Sequence, residues 1–311
     1  MKMLFIIDPI EEFNIERDSS FVVMLEAQKR GYEVWYTETK FMYANKSNVF
    51  TKAIKVKLDR SKHHYENLAT ETKDLTAFDA IFMRKDPPFN MEYIYCTYLL
   101  SMVKDKTLVI NDPDSIRSSN EKVFILNFPS IIVDTIVTKD KTVILEFLER
   151  NKKIVLKPLD RKGGEGIFIL EENDKNLNSL IDISTDYGNM TIMCQKYIPE
   201  AKLGDKRIVL INGEPKGAFL RVPSEYDHRG NLCAGASSQK CEITARDLEI
   251  CNTLAPKLKE MGLIFTGIDV LGDYVSEINV TSPTGLQDIA NIYGVHIEKD
   301  IIDFVENNVK K

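Results

Sequence analysis

Short apolar runs alternate with helix-like segments through the first third of the chain. Residues 3–7 form a brief apolar run that predicts a fully buried strand. Apolar positions in residues 19–30 recur at helical spacing, and Gly31 predicts the end of that helix. Further predicted elements are strands at 34–36, 78–83 and 107–110 and a helix at 91–103. Because strands alternate with helices, we expect an α/β domain with a parallel sheet over residues 1–118, with 44–74 as a loop or peripheral hairpin.

Beyond this domain the pattern changes to short strands separated by turn residues. Residues 118–120 predict a helix N-cap before an apolar segment at 123–128. Later predicted elements are strands at 154–157, 167–170 and 191–198, a helix at 245–261, and paired strands at 265–271 and 275–280. Asn212-Gly213 predicts a hairpin with a type I′ turn, and the polar stretch 223–239 predicts a mobile loop. Antiparallel pairs with helices between them predict an α+β fold for this half.

Composition and charge remove several classes of protein from consideration. The chain has 311 residues, 43% of them hydrophobic and 28% charged, which suits a globular protein of about two domains. Its formal net charge of −6 gives no reason to expect nucleic acid or an anionic membrane as a partner. The five cysteines are odd in number and form no CxxC pair, which indicates reduced thiols. With no signal-peptide pattern and no apolar run of membrane-spanning length, we expect a cytoplasmic protein.

Two acidic residues and an asparagine interrupt the apolar strands near the C-terminus. Asp269 lies in the first strand of the pair, and Glu277 and Asn279 share one face of the second. Carboxylate and amide oxygens are ligands that Mg²⁺ prefers, and acidic residues in apolar strands are unfavourable unless paired or metal-bound. The sequence therefore predicts a magnesium site, against the alternative of a solvated sheet face.

The connection between these two strands decides whether the three side chains converge. A two-residue turn at Gly272-Asp273 would place Asp269 and Glu277 on opposite faces of the hairpin. They converge if the loop has three residues or if the hairpin contains a β-bulge. We predict such a looser connection.

A lysine and a glycine-rich run are candidates for binding phosphate. Lys157 ends an apolar strand, and the run that follows contains Gly163, Gly164 and Gly166. Backbone N–H groups of such a run can cradle phosphates, although most glycine-rich segments between strands are ordinary turns. The run matches neither GxxxxGK[ST] nor a GxGxxG that opens a helix after a strand, which disfavours P-loop NTPases and Rossmann dehydrogenases.

Other basic residues are candidates for binding anions. Lys122, Arg207 and Arg221 are cationic candidates, and a hairpin would bring the two arginines together as a carboxylate or phosphate clamp. The alternative is that they are surface arginines. Arg84 follows a buried strand of the α/β half, where open sheets bind ligands. Asp18 opens the first helix, either simply as its N-cap or beside a bound carboxylate.

The sequence contains no motif for covalent catalysis. Its four histidines form no HExxH, there is no GxSxG, and no histidine accompanies a serine or cysteine nucleophile motif. A phosphate and magnesium site without a nucleophile suits a reaction in which ATP activates the substrate directly.

These residues, in this order, resemble the bacterial glutathione synthetase family of the ATP-grasp superfamily. The resemblance runs from Asp8 to Thr284, nearly the whole chain. The stretches that carry it are 17–21 (RDSSF), 83–89 (MRKDPPF), 120–122 (NEK), 156–160 (LKPLD), 204–207 (GDKR), 229–232 (RGNL) and 277–284 (EINVTSPT). Each stretch is modest alone, but together and in register they favour this family strongly.

The resemblance implies the reaction in which ATP, γ-glutamylcysteine and glycine give glutathione, ADP and phosphate. It implies a substrate-binding domain at 1–118 and an ATP-grasp domain at 119–311, in which a lid subdomain (122–187) and a metal- and ATP-binding subdomain (188–311) clasp ATP. The expected cofactors are ATP and two Mg²⁺ ions, with Mn²⁺ as a substitute. The expected partners are the small-molecule substrates and further copies of the chain in a tetramer or dimer.

The resemblance also implies roles for individual residues. The catalytic group, which neutralises the transferring phosphoryl group, comprises Arg207, Arg221 and Arg229. The ATP-binding group comprises Lys122, Lys157, Gly163, Gly164, Gly166, Gln195, Lys196, Tyr197, Ile198 and Asp205; of these, 195–198 would line the adenine pocket and Asp205 would lie near the ribose. The substrate-binding group comprises Asp18, Ser19, Arg84, Asn231, Thr281, Ser282 and Thr284. The metal ligands are Asp269, Glu277 and Asn279.

The sequence departs from the family pattern in two loops. The glycine-rich run has Arg161, Lys162 and Glu165 where the family commonly has small residues. Residues 235–238 lack the basic residue often found at the far end of the mobile loop, so that Arg229 would carry that role alone.

Two other functions remain open. One is another ATP-grasp carboxylate–amine ligase with different substrates, against which the MRKDPPF run argues. The other is a non-catalytic nucleotide-binding protein on the same fold. The presence of Asp269, Glu277, Asn279 and Arg221 disfavours the second, because ATP binding alone needs fewer of them.

Overall fold

The computed structural model describes residues 1–61, 63–161, 163–223 and 237–309. The strands are β1 (Lys2–Ile6), β2 (Glu33–Thr37), β3 (Met42–Asn45), β4 (Asn48–Leu58), β5 (Tyr65–Asp74), β6 (Ala80–Met83), β7 (Leu108–Ile110), β8 (Thr135–Thr138), β9 (Lys153–Pro158), β10 (Phe168–Glu171), β11 (Ile192–Lys196), β12 (Asp205–Ile211), β13 (Glu214–Val222), β14 (Ser237–Gln239), β15 (Phe265–Leu271) and β16 (Tyr274–Asn279). The helices are α1 (Ser19–Lys29), α2 (Met91–Ser101), α3 (Pro113–Ser118), α4 (Lys141–Asn151), α5 (Leu177–Ser184), α6 (Ala245–Glu260), α7 (Leu286–Tyr293) and α8 (Ile297–Asn308). Within the described ranges, every helix falls short of the length and apolar character that a membrane crossing requires.

The first sheet belongs to the N-terminal part of the chain. Strands β2, β1, β6 and β7 lie side by side and run parallel, as the alternation of strands and helices predicts. The core of β1 is apolar on both faces, which is typical of a parallel strand covered on both sides. Strands β4 and β5 form a long antiparallel hairpin that extends this sheet next to β2. Of the two expectations for 44–74, the hairpin is therefore confirmed.

The second sheet is antiparallel, in the order β10-β9-β11-β8. Helices α4 and α5 cover it, and its core is a separate hydrophobic cluster that includes Phe147, Leu156 and Cys194. The sequence pattern did not predict these two helices. Strand β11 lies inside this sheet, although the boundary predicted between 122–187 and 188–311 precedes it.

The third sheet has the order β14-β13-β12-β15-β16 and is antiparallel throughout. The turn between β12 and β13 has positive φ at both central residues, 49° at Asn212 and 74° at Gly213. These angles are those of a type I′ turn, which confirms the predicted hairpin. The α/β half is thus followed by an α+β half, as expected.

The first and third sheets share their hydrophobic core. Two clusters each combine buried side chains from both sheets, and in one of them Phe5 and Phe82 of the first sheet join Phe219 and Phe265 of the third. Each such buried phenylalanine contributes about 1.5–3 kcal/mol through loss of contact with water. The side chain of Asn111, just after β7, adds a polar link. It donates a hydrogen bond to the carbonyl of Phe265 and accepts one from the N–H of the same residue.

The structure differs from the sequence predictions in one predicted helix and in two helices that were not predicted. The apolar segment at 123–128 forms a short 3₁₀ helix, Val123–Asn127, rather than an α-helix. The N-cap predicted at 118–120 was wrong, because the residue before this helix is Lys122, whose side chain forms no capping hydrogen bond. Asn120 Oδ1 nevertheless accepts hydrogen bonds from the N–H groups of Lys122 and Val123. The C-terminal helices α7 and α8 were not predicted at all.

Candidate active site

Charged side chains gather on one face of the third sheet. The register pairs Arg207 with Asp269, Asp205 with Arg221, and Asp269 with Glu277. Residues directly opposite each other across antiparallel strands point to the same face, so the five side chains lie together. Arg207, Arg221 and Asp269 are almost fully buried. The predicted convergence of the two arginines is confirmed, and the alternative of surface arginines is excluded.

A β-bulge aligns the two carboxylates of β15 and β16. The turn at Gly272-Asp273 has two residues, since Leu271 pairs with Tyr274. Without a further adjustment Glu277 would face away from Asp269. The register shifts after Asp269, so that Val270 pairs with Val275 while Asp269 pairs with Glu277. The predicted bulge is therefore confirmed, and the three-residue loop is not used.

Asp269 binds both arginines. Arg207 donates from Nε to Asp269 Oδ1 at 2.5 Å and from Nη2 to Oδ2 at 3.1 Å. Arg221 Nη2 lies 2.8 Å from Asp269 Oδ2. Burial alone would raise the pKa of Asp269, but the two guanidinium groups outweigh it and hold the pKa well below its usual range. The carboxylate is thus anionic, and its charge is compensated twice.

Asp205 is the second partner of Arg221. Its Oδ2 accepts a hydrogen bond from Arg221 Nη2 at 2.5 Å. Burial raises the pKa of Asp205 to about 6, with Arg221 lowering it and the Asp269 charge raising it further. Asp205 Oδ1 and Arg221 Nε are buried without a hydrogen-bond partner among the described residues.

Two lysines face the same cluster from outside the third sheet. Lys122 Nζ lies 3.1 Å from Glu277 Oε1 and donates to the carbonyl of Arg161 at 2.8 Å. Burial would lower the pKa of Lys122, but the Glu277 carboxylate raises it overall. Lys157, at the end of β9, is also buried, and burial lowers its pKa. No described residue accepts a hydrogen bond from its ammonium group. An anionic ligand would supply the acceptor and the negative charge that this buried group lacks.

The glycine-rich run lies between β9 and β10 in the chain. Gly163, Gly164 and Gly166 have φ values of 67°, 77° and 71°, which favour glycine. Arg161 and Glu165, which depart from the family pattern, form an ion pair at 2.6 Å. A small cleft lies beside this run and is lined by residues that include Phe89, Lys122 and Arg161.

The donor set on β15 and β16 fits magnesium. Asn279 Nδ2 donates to the carbonyl of Gly267 at 3.2 Å, which leaves its amide oxygen as the available acceptor. Two carboxylates and an amide oxygen are hard donors suited to Mg²⁺, with phosphate and water as further ligands. The described residues hold no cluster of three or more His, Cys, Asp or Glu side chains suited to a metal. An ion would therefore rely on the amide and on a nucleotide in addition to Asp269 and Glu277.

The segment expected to line an adenine pocket, residues 195–198, begins at the end of β11 in the second sheet and leads towards β12 in the third. Gln195 is buried on β11 and donates from Nε2 to Thr135 Oγ1 at 3.3 Å. The ammonium group of Lys153 lies 4.4 Å from the centre of the Tyr197 ring. Ile198 is buried, whereas Lys196 is exposed. The four residues thus lie at the junction of the two sheets rather than within the charged cluster.

The residues expected to bind the peptide lie where the first sheet meets the third. Arg84, just after β6, donates to Ser20 Oγ at 2.9 Å and to the carbonyl of Pro283 at 2.9 Å. Burial lowers the pKa of Arg84, and its Nη1 has no partner among the described residues. Ser282 Oγ donates to the carbonyl of Arg84 at 3.2 Å. Thr284 contributes its carbonyl, which accepts from Arg207 Nη1 at 3.1 Å.

The start of α1 meets the start of α7 in the same region. Asp18 caps α1, as predicted, by accepting a hydrogen bond from the N–H of Phe21 at 2.8 Å. Burial raises the pKa of Asp18, and the cap and Arg84 oppose that effect. Ser19 is fully buried, and its Oγ accepts from the N–H of Leu286 at 3.3 Å. Arg229 and Asn231, with most of the predicted mobile loop, lie outside the described residues.

Sequence reasoning missed Glu121. Its Oε1 accepts hydrogen bonds from the N–H groups of Val280 and Thr281 and from Thr281 Oγ1. Burial raises the pKa of Glu121 and the nearby Glu277 charge adds to this, while these donors lower it. The only available signal was its place beside Lys122 in the NEK stretch, since its partners lie far away in the chain.

Two family models match successive parts of the chain. Residues 1–117 match the family model described as the N-terminal domain of prokaryotic glutathione synthetase, and 121–294 match its ATP-grasp domain. A glutathione synthetase from Nostoc sp. is 43% identical over 321 residues, covering 100% of this chain and 99% of that protein. One from Vibrio vulnificus is 41% identical over 314 residues, covering 100% and 98%.

Solved structures with low sequence identity share the fold. The crystal structure of D-cycloserine synthetase DcsG has a TM-score of 0.69 at 12% identity, over 97% of this chain and 99% of that one. The ATP-grasp ligase PsnB, complexed with its minimal precursor, Mg and ADP, has a TM-score of 0.65 at 16% identity, over 100% and 98%. The predicted ATP-grasp fold is thereby confirmed. With both family models matching and full-length relatives above 40% identity, the chain belongs to the prokaryotic glutathione synthetase family.

Proposed function

We propose that this protein is an ATP-dependent carboxylate–amine ligase that joins γ-glutamylcysteine to glycine, and so acts as a glutathione synthetase. The observation that carries the proposal is the buried charged cluster of the third sheet, in a chain that matches this family along its length. Two arginines and two lysines surround carboxylates there. Such an arrangement suits charge neutralisation during phosphoryl transfer.

The chemistry starts from a carboxylate, which amines do not attack in water. Transfer of the γ-phosphoryl group of ATP to the terminal carboxylate of the dipeptide gives an acyl phosphate, in which phosphate is a good leaving group. The neutral amine of glycine then attacks the carbonyl carbon, the amide bond forms, and phosphate departs. The protein supplies positions and charges rather than a nucleophile.

Four cations are assigned to the phosphate groups. Lys122 and Lys157 would bind ATP, and the buried ammonium of Lys157, which has no hydrogen-bond acceptor among the described residues, supports this assignment. Arg207 and Arg221 would neutralise the oxygens of the moving phosphoryl group. Both guanidinium groups are almost fully buried, where charge–charge interactions are stronger than in water.

Asp269, Glu277 and Asn279 would hold Mg²⁺, or Mn²⁺ in its place, with two ions expected. A bound ion would neutralise phosphate charge between the nucleotide and the protein. The hard oxygen donors of the three side chains support this assignment. Because Asp269 already binds Arg207 and Arg221, its part in holding an ion is tied to the position of both arginines.

The remaining assignments follow the layout of the sheets. The first sheet, over residues 1–118, would hold the dipeptide through Arg84, Asp18, Ser19 and the turn at 281–284. The second sheet, with β11 added to the predicted 122–187, would be the lid that keeps water from the acyl phosphate. The adenine would lie along 195–198 with Asp205 near the ribose. A cytoplasmic location and a dimer or tetramer stay predictions.

The decisive experiment measures glutathione and ADP formed by the purified protein. Complete reactions contain ATP, Mg²⁺, γ-glutamylcysteine and glycine, and matched reactions omit one component each. We expect both products at equal rates, with loss of glutathione in every omission. A second series replaces the dipeptide or glycine with other peptides and amino acids.

The outcomes separate the three candidate functions. Formation of glutathione that requires all four components supports the proposal. Faster ligation of a different pair would identify another ATP-grasp ligase. ATP binding without product from any pair would identify a non-catalytic nucleotide-binding protein and overturn the proposal.

A further inference from the structure

Glu121 precedes the second sheet in the chain and binds the third sheet at its edge strand, β16. Its Oε1 accepts three hydrogen bonds, from the N–H of Val280 at 2.8 Å, the N–H of Thr281 at 2.9 Å and Thr281 Oγ1 at 2.8 Å. Its backbone carbonyl accepts a fourth, from the N–H of Ile278 at 2.9 Å. Strand β16 is an edge strand in the described part of the sheet, so Glu121 satisfies donors there that lack a neighbouring strand.

The residues on either side of Glu121 point to the phosphate side of the site. Lys122 contacts Glu277 and the carbonyl of Arg161. Asn120 Nδ2 donates to the carbonyl of Leu159 at 2.9 Å. Three consecutive residues thus connect the loop after β9 with β16 and with the turn that follows it.

The turn at 281–284 contacts both a residue assigned to the dipeptide and a residue assigned to the transferring phosphoryl group. The carbonyl of Pro283 accepts from Arg84, which is assigned to the dipeptide. The carbonyl of Thr284 accepts from Arg207, which is assigned to the phosphoryl group. A shift of the turn would therefore move both arginines relative to the lysine beside Glu121.

We propose that Glu121 is a positioning residue for this reaction. By fixing the turn at 281–284, it sets the distance between Lys122, which binds ATP, and the pair Arg84 and Arg207. It acts through these residues. Because one carboxylate oxygen serves three donors, both its charge and its length matter, since charged acceptors form the stronger hydrogen bonds. This inference rests on the proposed function.

Two substitutions separate charge from length. Glu121→Gln keeps the length but replaces the charged acceptor with a neutral one. Glu121→Asp keeps the charge but is one methylene shorter, so it reaches the same donors only if the turn moves. For both variants we expect kcat to fall about 10- to 100-fold, since small misplacements of reacting groups cost that much. The Kd for a non-hydrolysable ATP analogue should change less than about threefold, because Lys122 keeps its own contacts.

Asp247→Asn is the matched control. Asp247 is a buried carboxylate whose Oδ2 likewise accepts three hydrogen bonds, from the N–H and Oγ1 of Thr244 and from Lys206. It completes the capping box of α6 with Thr244, and among the described residues its side-chain hydrogen bonds go to Thr244 and Lys206, neither of which is assigned to the reaction. This variant should lose thermal stability as the Glu121 variants do, yet keep kcat at a temperature where it is folded.

Steady-state glutathione formation, analogue binding and thermal unfolding, measured on all four proteins, decide the matter. A fall in kcat for the Glu121 variants with ATP affinity retained supports the positioning role. Wild-type kcat in either folded variant overturns it, and so does an equal fall in the control. If Glu121→Gln does not fold, Glu121→Asp alone gives the same decision. A wild-type protein that makes no glutathione overturns the proposed function first, and the positioning role with it.

Discussion

Arg221 is a buried cation whose Nη2 atom contacts the carboxylates of both Asp205 and Asp269. Asp269 also binds Arg207, so the four charges form one chain of contacts. Removing one member of such a group leaves a buried charge without compensation, which costs about 3–5 kcal/mol. Substitutions here therefore affect both stability and the reaction, and the experiments must measure the two separately.

Replacing Arg221 with alanine should impair chemistry far more than nucleotide binding. We expect kcat to fall by at least about 100-fold, because a charge that stabilises the transferring phosphoryl group is lost. The Kd for an ATP analogue should rise less than about fivefold, because both lysines remain. Steady-state kinetics and calorimetric titration measure the two quantities. Arg150→Ala, at an exposed arginine that contacts Asp134, is the control and should keep both. Equal losses in kcat and affinity would contradict the assigned role.

Asp205 should make the stability of the protein depend on pH. Burial raises its pKa from 3.8 to about 6, so its stabilising contribution is fully present below its unfolded pKa and is lost as pH rises through about 6. Asp205→Asn removes this titration. The free energy of unfolding of the variant minus that of wild type should therefore rise from about pH 4 to about pH 7. The rise should be roughly 3 kcal/mol at most, since one pKa unit corresponds to about 1.4 kcal/mol.

Thermal unfolding across that pH range tests this expectation. Asp114→Asn is the control, because hydrogen bonds led by that from Lys104 lower the pKa of Asp114 to about 2. Its stabilising contribution is lost only at more acidic pH, so its difference from wild type should stay nearly constant over the same range. A constant difference for Asp205→Asn as well would show that its carboxyl does not titrate there.

At the scale of secondary structure, the hairpin between β12 and β13 depends on one glycine. Gly213 has a φ of 74°, and a Cβ atom there would lie 3.1 Å from Ala255 of α6. Gly213→Ala should therefore destabilise the protein by about 1–3 kcal/mol, from backbone strain and crowding, without changing kcat. Urea unfolding and steady-state kinetics measure the two. Asn212→Gly, at a φ of 49° that glycine tolerates, should stay within about 0.5 kcal/mol of wild type.

Which elements could be predicted depended on local signals. Gly31 and Asn212-Gly213 mark their turns in the sequence, and the bulge between β15 and β16 followed from requiring Asp269 to face Glu277. Helices α5, α7 and α8 start without a side-chain cap, so the usual start signal was missing. Helix α4 does have one, at Asp140, and this signal was overlooked.

The candidate site was predictable only where chemistry and spacing coincide. The acidic residues on two adjacent strands stood out because apolar strands rarely carry them. Glu121 did not, because its three donors lie more than 150 residues away and only the fold brings them together. The same applies to Asn111, whose partners on β15 and after β16 are backbone groups that no side-chain pattern reveals.

At the scale of the whole molecule, Asn111 links the first sheet to the third. Its Nδ2 donates to the carbonyls of Phe265 and Val280, and its Oδ1 accepts from the N–H of Phe265, all at 2.8 Å. Asn111→Ala leaves these buried backbone groups unpaired, and we expect a loss of about 2–5 kcal/mol in the free energy of unfolding. Urea denaturation measures it. Asn307→Ala, at an exposed asparagine on α8, is the control and should change little. A loss below about 1 kcal/mol at Asn111 would contradict the proposed importance of this link.

The hydrophobic clusters that span the first and third sheets have a consequence for recombination between related genes. A crossover near residue 118 would pair apolar surfaces that were never selected together, such as Phe5 and Phe82 from one parent with Phe219 and Phe265 from the other. The second sheet is different, because its cluster is drawn from its own strands and helices. Exchanging residues 135–196 as a cassette would leave both larger clusters almost intact. Recombination between related genes should therefore be tolerated best when it exchanges this sheet as a unit.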